Sequence, residues 1–287
     1  TNLYPFFEDC LSKAKIQNAT LYSSITFETN YSDPLAVIEQ IHESNQSICY
    51  FEKQSDEFSI ACGDPIAEAR FSGAERFQQA KVWSQKLLSD TLVAGDHKVE
   101  GSGPTLFLNA TFEESSSDSK YPALQVFLPH WQVVRKGGAH FIVINCVISP
   151  ETKVHELNVN VSKTLERFDG LHDQRPSGKN QKKIQLGRPI EENFYEHAVS
   201  KALKLISKGI ISKIVLARKL IYQTEKQLPY FSIAHSLRNK FPDCYTFCMS
   251  TPDNGIFIGA TPEILSRVSG NSLETEAVAG TAARGPS

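Results

Sequence analysis

Short β-rich runs joined by turn-forming residues set the tightest limit on how this chain can fold. Trp131 to Arg135 and His140 to Ile148 are two such runs, and Lys136-Gly137-Gly138-Ala139 between them supplies the glycine freedom that a tight turn requires. Ser47 to Phe51 and Phe58 to Cys62 form a second pair, joined by the polar stretch Lys53-Gln54-Ser55-Asp56, and read as another hairpin. Thr105 to Phe112 is a further strand, and Glu113 to Lys120 a solvated loop. Helical spacing interrupts the strands once in this half. From Ala74 to Leu88, apolar residues recur at Phe77, Ala80, Trp83, Leu87 and Leu88 with a polar opposite face.

The stretch Gly170 to Arg188 is rich in charge, Gly and Pro and nearly free of large apolar residues, which is the composition of a linker. It divides the chain into residues 1–170, a connecting loop over 171–188, and residues 189–287. After Pro189, Glu191 to Lys208 carries Phe194, Ala198, Ala202, Leu205 and Ile206 on one face, acidic residues in its first turn and Gly209 just past its end, which predicts a helix. Lys213 to Tyr222 reads as a strand, Tyr230 to Asn239 as a helix, and Tyr245 to Ser250, Gly255 to Gly259, Leu265 to Val268 and Leu273 to Ala277 as strands. Runs of strands with occasional helices predict an α+β fold with large antiparallel sheets.

A length of 287 residues, 40% of them hydrophobic and 22% charged, is that of a globular protein with one large core or two modest ones. A formal charge of -2 supplies no field to attract nucleic acid or an anionic membrane surface, so a small molecule or a protein is the expected partner. The first residues, Thr1 to Glu8, have neither the basic nor the apolar region of a secretory signal, and no apolar run approaches the roughly 20 residues that span a bilayer. Cys10, Cys49, Cys62, Cys146, Cys244 and Cys248 sit in apolar segments without disulfide-framework spacing, as reduced core cysteines of a cytoplasmic protein would. Cys244 and Cys248 have a tolerable metal-ligand spacing, but no second Cys or His pair follows and the residues between them read as strand.

Two stretches go beyond pattern. One is Lys213-Ile214-Val215-Leu216-Ala217-Arg218. The other runs from Phe257-Ile258-Gly259-Ala260-Thr261-Pro262-Glu263 through Glu276-Ala277-Val278-Ala279-Gly280-Thr281-Ala282-Ala283-Arg284-Gly285. In order and content these resemble the signature of the chorismate-utilising enzymes, the family of anthranilate, aminodeoxychorismate, isochorismate and salicylate synthases. The match covers about Ile190 to Gly285, with a weaker one at Leu128-Pro129-His130-Trp131. The resemblance implies two large antiparallel sheets packed face to face with helices outside, and a linker that is an internal excursion of one domain.

The implied chemistry needs a base on one side of a ring and an acid on the other, because water is a weak nucleophile and hydroxide a poor leaving group. By resemblance Lys213 is the base that activates water at C2 of chorismate, and Glu263 the acid that protonates the departing C4 hydroxyl. A lysine does this only if desolvation or a nearby cation lowers its pKa far below its usual value of about 10.4. Read without the resemblance, a lysine beginning a strand is usually solvated and a Pro-Glu pair is usually only a turn; Arg218 and Arg284 suit a substrate carboxylate, but arginines on strands and after turns are mostly surface residues, and neither is assigned a role. The turn Ala279-Gly280-Thr281 touches substrate in the family, where its backbone N–H groups can approach a carboxylate unobstructed.

Family members that use ammonia have Gln at the position of Lys213, and aminodeoxychorismate synthase has a nucleophilic Lys at the position of Ala279. Lys213 combined with Ala279 therefore implies activated water and an isochorismate synthase, with salicylate synthase as the alternative. The resemblance also implies magnesium, held by two glutamates from a continuation beyond Gly285, so that these 287 residues alone are expected to be inactive and no metal ligand is assigned among them. A non-catalytic interaction module is the reading of a different class. Chorismate is the expected partner of a monomer or weak homodimer, with no nucleic acid and no membrane.

Overall fold

The computed structural model of the chain describes residues 2–30, 33–42, 46–115, 121–169, 171, 187, 189, 194–224, 228–250, 255–278 and 280. Two compact units are present, one formed by Thr1–Ser177 with Tyr230–Ser287, the other by Gly178–Pro229.

The first unit is built on a nine-stranded sheet. Its strands are β1 (Leu21–Glu28), β2 (Ile48–Lys53), β3 (Phe58–Phe71), β4 (Thr91–Ala94), β5 (Phe107–Ala110), β6 (Leu124–Lys136), β7 (Ala139–Ile148), β8 (Tyr245–Ser250) and β9 (Ile256–Thr261). The order is β4-β1-β7-β6-β3-β2-β8-β9, with β5 also paired to β6. Every pairing is antiparallel except that of β1 with β4. A two-stranded ribbon, β10 (Arg267–Ser269) with β11 (Ser272–Glu274), stands apart from the sheet.

Both hairpins expected from the sequence form. Lys136 pairs with Ala139 across Gly137-Gly138, and Gly137 takes the positive φ of 57° that the turn demands. β2 and β3 pair from Lys53 opposite Phe58 to Ile48 opposite Gly63. β3 then runs on against β6, where its register shifts between Pro65 and Ala67 and Asp64 adopts a left-handed φ of 56°. Gly63 lies under the Trp131 ring, whose nearest atom would be 2.6 Å from an added Cβ.

Helices α1 (Tyr4–Gln17), α2 (Pro34–Ile41), α3 (Arg76–Ser89), α4 (Val154–Asp169) and α6 (Tyr230–Lys240) belong to this unit, and α5 (Phe194–Ser207) to the other. Phe7, Cys10 and Ala14 of α1, Leu35 and Ile38 of α2, and Leu157, Val161 and Phe168 of α4 share one apolar cluster with Ile25, Trp131, Ile142 and Ile144 of the sheet. Ala80 of α3 packs separately with Leu124 and Val126. α2 starts on Asp33, whose carboxylate accepts the Leu35 N–H at 3.1 Å, and Pro34 occupies the first turn, where a missing N–H costs nothing.

α6 is joined to the early part of the chain by a buried charge network. Arg238, 6% exposed, donates to Asp33 through both terminal nitrogens, at 2.8 and 2.7 Å, and to Glu52 at 2.9 Å. Glu52 also accepts from Arg135 at 3.0 Å and from the Tyr50 hydroxyl. Two carboxylates and two guanidiniums satisfy one another, as burial of charge requires.

In the second unit, α5 bears out the helix expected from Glu191 to Lys208; residues 191–193 lie outside the described residues. Gly209, with φ 67°, terminates it by donating to Ile206 O at 2.9 Å, and Ile210 donates to Leu205 O at 3.0 Å.

Strand expectations fail or shorten in four places, one of them Thr105 to Phe112, which shortens to β5. Lys213 to Tyr222 is not a ladder strand: only Ile221 makes an isolated bridge, since extended backbone becomes a strand only where a neighbour offers free donors and acceptors. The last two expected strands shorten to β10 and β11. The α+β class and the large antiparallel sheet stand, but among the described residues the sheet has no second large sheet packed against it. Most of the stretch Gly170 to Arg188, and residues 116–120 of the Glu113 to Lys120 loop, lie outside the described residues.

Two stability predictions follow from local geometry. Gly95 has φ 86°, and an added Cβ would lie 2.3 Å from the Thr26 carbonyl oxygen, whereas Gly73 has φ 84° with open space around it. Urea denaturation should therefore show a loss of about 3 kcal/mol for Gly95→Ala and only about 1 kcal/mol for Gly73→Ala. Burial works to raise the Asp33 pKa, but the hydrogen bonds and charge of Arg238 prevail and hold it below the ordinary 3.8. The stabilisation this brings is present above that pH and drains away as pH falls through the folded-state value. Asp33→Asn should cost about 3 kcal/mol at pH 7, with the deficit narrowing at pH 3, read from denaturation midpoints at both.

Candidate functional site

The Thr-Pro-Glu motif leaves the sheet at the end of its last strand. β8 and β9 pair from Ser250 opposite Ile256 to Tyr245 opposite Thr261, with Phe247 opposite Gly259. Glycine is required at 259 because the Phe247 ring lies across it, 2.4 Å from where a Cβ would sit, while packing against Phe257 at a centroid separation of 5.3 Å. Pro262 cannot continue a ladder, having no N–H, so the chain turns away after Thr261. The Glu263 N–H then donates to Thr261 Oγ1 at 3.2 Å, and the Glu263 side chain is exposed.

The far end of this turn is tied back to the same place. Arg267, first residue of β10, donates to the Tyr245 hydroxyl, and Tyr245 is the residue opposite Thr261. Arg267 also donates to Asp56 at 2.8 Å and lies 3.6 Å from Glu274. Thr275 Oγ1 donates to the Leu265 carbonyl at 2.9 Å. The loop from Pro262 to Ser266 is thus closed at its base and carries the exposed Glu263 side chain two residues beyond Thr261. Sequence reasoning passed over Tyr245, Asp56 and Arg267, whose meeting no local spacing announces. Thr261 was readable, since a hydroxyl two residues before an N–H is a common turn acceptor.

Lys213 lies in the second unit, exposed and without regular structure, four residues past Gly209. In the same unit Arg218 lies over the Tyr195 ring, 5.0 Å from its centroid. Glu263 belongs to the first unit, as does Gly280, which is exposed. Ala279, Thr281 and Arg284 lie outside the described residues.

Among the described residues no group of three or more His, Cys, Asp or Glu side chains is placed to hold a metal ion. The cysteines are free thiols, all buried except the half-buried Cys244. Burial pushes the thiols of Cys10 and Cys146 up to about 11 and that of Cys248 up to about 12, which disfavours the thiolate that nucleophilic or ligand chemistry uses. No described helix is long and apolar enough to cross a membrane.

The large antiparallel sheet with helices and a glutamate-bearing turn at its margin defines an α+β scaffold with known counterparts. The menaquinone-specific isochorismate synthase from Escherichia coli matches it with a TM-score of 0.58 over 94% of this chain and 58% of that one, at 13% identity, a likeness of fold. In sequence, the salicylate biosynthesis isochorismate synthase of Pseudomonas aeruginosa is 25% identical over 287 residues, 97% of this chain and 58% of the relative. Anthranilate synthase component 1 of Saccharolobus solfataricus is 36% identical over 98 residues, 33% of this chain and 22% of the relative. A family model described as chorismate binding enzyme matches residues 8–287, and the chain belongs to that family.

The Phe247–Gly259 contact is testable in isolation. Gly259→Ala should lower stability by about 1–2 kcal/mol, and most of that loss should vanish in the double variant with Phe247→Leu, read from a double-mutant cycle of urea midpoints.

Proposed function

We propose that the protein carrying this chain is an isochorismate synthase, adding water at C2 of chorismate and expelling the C4 hydroxyl while the ring double bonds shift between them. The observation that carries this reading is the combination of Lys213 with Ala279 in family motifs where ammonia-using relatives have Gln and aminodeoxychorismate synthase a nucleophilic Lys. Similarity to the Pseudomonas aeruginosa isochorismate synthase over 97% of the chain supports it.

In this reading Lys213 accepts a proton from water as the new C2–O bond forms. Glu263, protonated, delivers its proton to the C4 oxygen as the C4–O bond breaks, so that water leaves rather than hydroxide. The backbone of Ala279-Gly280-Thr281 meets a substrate carboxylate. Magnesium belongs to the reading through family resemblance alone, with its glutamates expected beyond Gly285, and no step is routed through it. The protein acts in the cytoplasm as a monomer or weak homodimer.

The name of the Pseudomonas aeruginosa relative joins salicylate biosynthesis to isochorismate formation, which supports one alternative, a salicylate synthase that goes on to expel pyruvate. Incubation with magnesium and chorismate separates the two: isochorismate alone supports the proposal, and salicylate with equimolar pyruvate moves it to the alternative. Lys213→Ala and Glu263→Gln should each lower kcat by about a thousandfold or more, with circular dichroism and Tm unchanged. A Lys213→Ala variant of normal kcat removes the assigned base.

A further inference from the structure

We infer that Thr261 is a positioning residue for Glu263, its hydroxyl fixing the backbone from which the acid side chain projects. The inference rests on the reading of Glu263 as the proton donor. It starts from the hydrogen bond between the Glu263 N–H and Thr261 Oγ1, at 3.2 Å.

An acid must stand within hydrogen-bond reach of the oxygen it protonates, and Glu263 is exposed, with little packing of its own to aim it. Its direction is therefore set by its backbone. Three constraints converge there. Thr261 is the last residue of β9, locked opposite Tyr245 in a register that the Phe247 ring over Gly259 helps to define. Pro262 fixes φ at the next residue. The Thr261 hydroxyl then captures the N–H that follows, and because threonine is β-branched its χ1 is stiff, so the acceptor stays in place.

The opposite end of the loop is held by Arg267, which bonds the hydroxyl of the same Tyr245 and ion-pairs with Asp56 at 2.8 Å. Between those two ends, the hydrogen bond from the Glu263 N–H to Thr261 Oγ1 is the restraint made by the backbone of the acid itself. Valine has the shape of threonine without the acceptor, and serine keeps the acceptor without the methyl group, so the two replacements separate hydrogen bonding from packing.

In the protein assayed with magnesium and chorismate, Thr261→Val should lower kcat about thirtyfold, the scale of a small misplacement of a reacting group, with KM within twofold. Thr261→Ser should restore kcat to within about threefold of the parent, since a hydroxyl acceptor is again present. A reading independent of turnover is amide hydrogen exchange at Glu263, which should accelerate about tenfold in Thr261→Val and stay unchanged in Thr261→Ser. A normal kcat in Thr261→Val, or equal losses in both variants, overturns the inference. If the parent fails to convert chorismate, the proposed function falls, and unchanged exchange at Glu263 in Thr261→Val then overturns the positioning claim on its own.

Discussion

The first unit depends on one buried arginine. Asp33 and Glu52 are carboxylates taken out of water on early elements of the chain, and both are paired there with Arg238, which arrives from α6 about two hundred residues later. Breaking such a pair by removing one partner leaves an uncompensated buried charge and costs about 3–5 kcal/mol. Its planar, five-donor guanidinium reaches both Asp33 oxygens and Glu52 together, which a lysine cannot do. The network thereby selects one way for the late segment to dock on the early sheet.

That docking decides where the candidate acid stands. α6 leads directly into β8, β8 pairs with β2, and β9 pairs with β8 and ends at the Thr-Pro-Glu turn. Glu263 is thus connected to Arg238 through two strand ladders and a short loop, each link carrying its own restraint: the β2–β8 register, the Phe247–Gly259 contact, and the closure of the loop at Tyr245 and Arg267. A rigid sheet margin bearing an exposed carboxyl is a suitable platform for proton transfer, because the scaffold fixes position while solvent and substrate determine the environment.

Elements that announce themselves locally were readable. The β6–β7 hairpin follows from its two glycines, the β2–β3 hairpin from its polar connection, and α5 from its apolar stripe and Gly209. Others were hidden. α2 is only eight residues long and six of them are buried, so its apolar run has no polar face to display a period. α4, by contrast, spaces Val154, Leu157, Val161 and Phe168 as a helix does, so its period is legible in the sequence. In α1 the buried Phe7, Cys10 and Ala14 are blurred by the neighbouring Tyr4 and Phe6. At Lys213 to Tyr222, β-branched and apolar residues suggested a strand, but no local preference creates a pairing partner.

By itself the sequence determined the hairpins, the principal late helix and the motif residues Lys213, Glu263 and Ala279-Gly280-Thr281, because turn chemistry, helical period and residue identity are local properties. Only the tertiary structure decided the strand order, the parallel β1–β4 pair, the Asp33–Glu52–Arg238 network and the closure of the Glu263 loop by Tyr245 and Arg267. Each of these joins groups that are distant along the chain. Such contacts form when complementary charges and faces meet as the core closes, and no periodicity within a short window encodes that meeting.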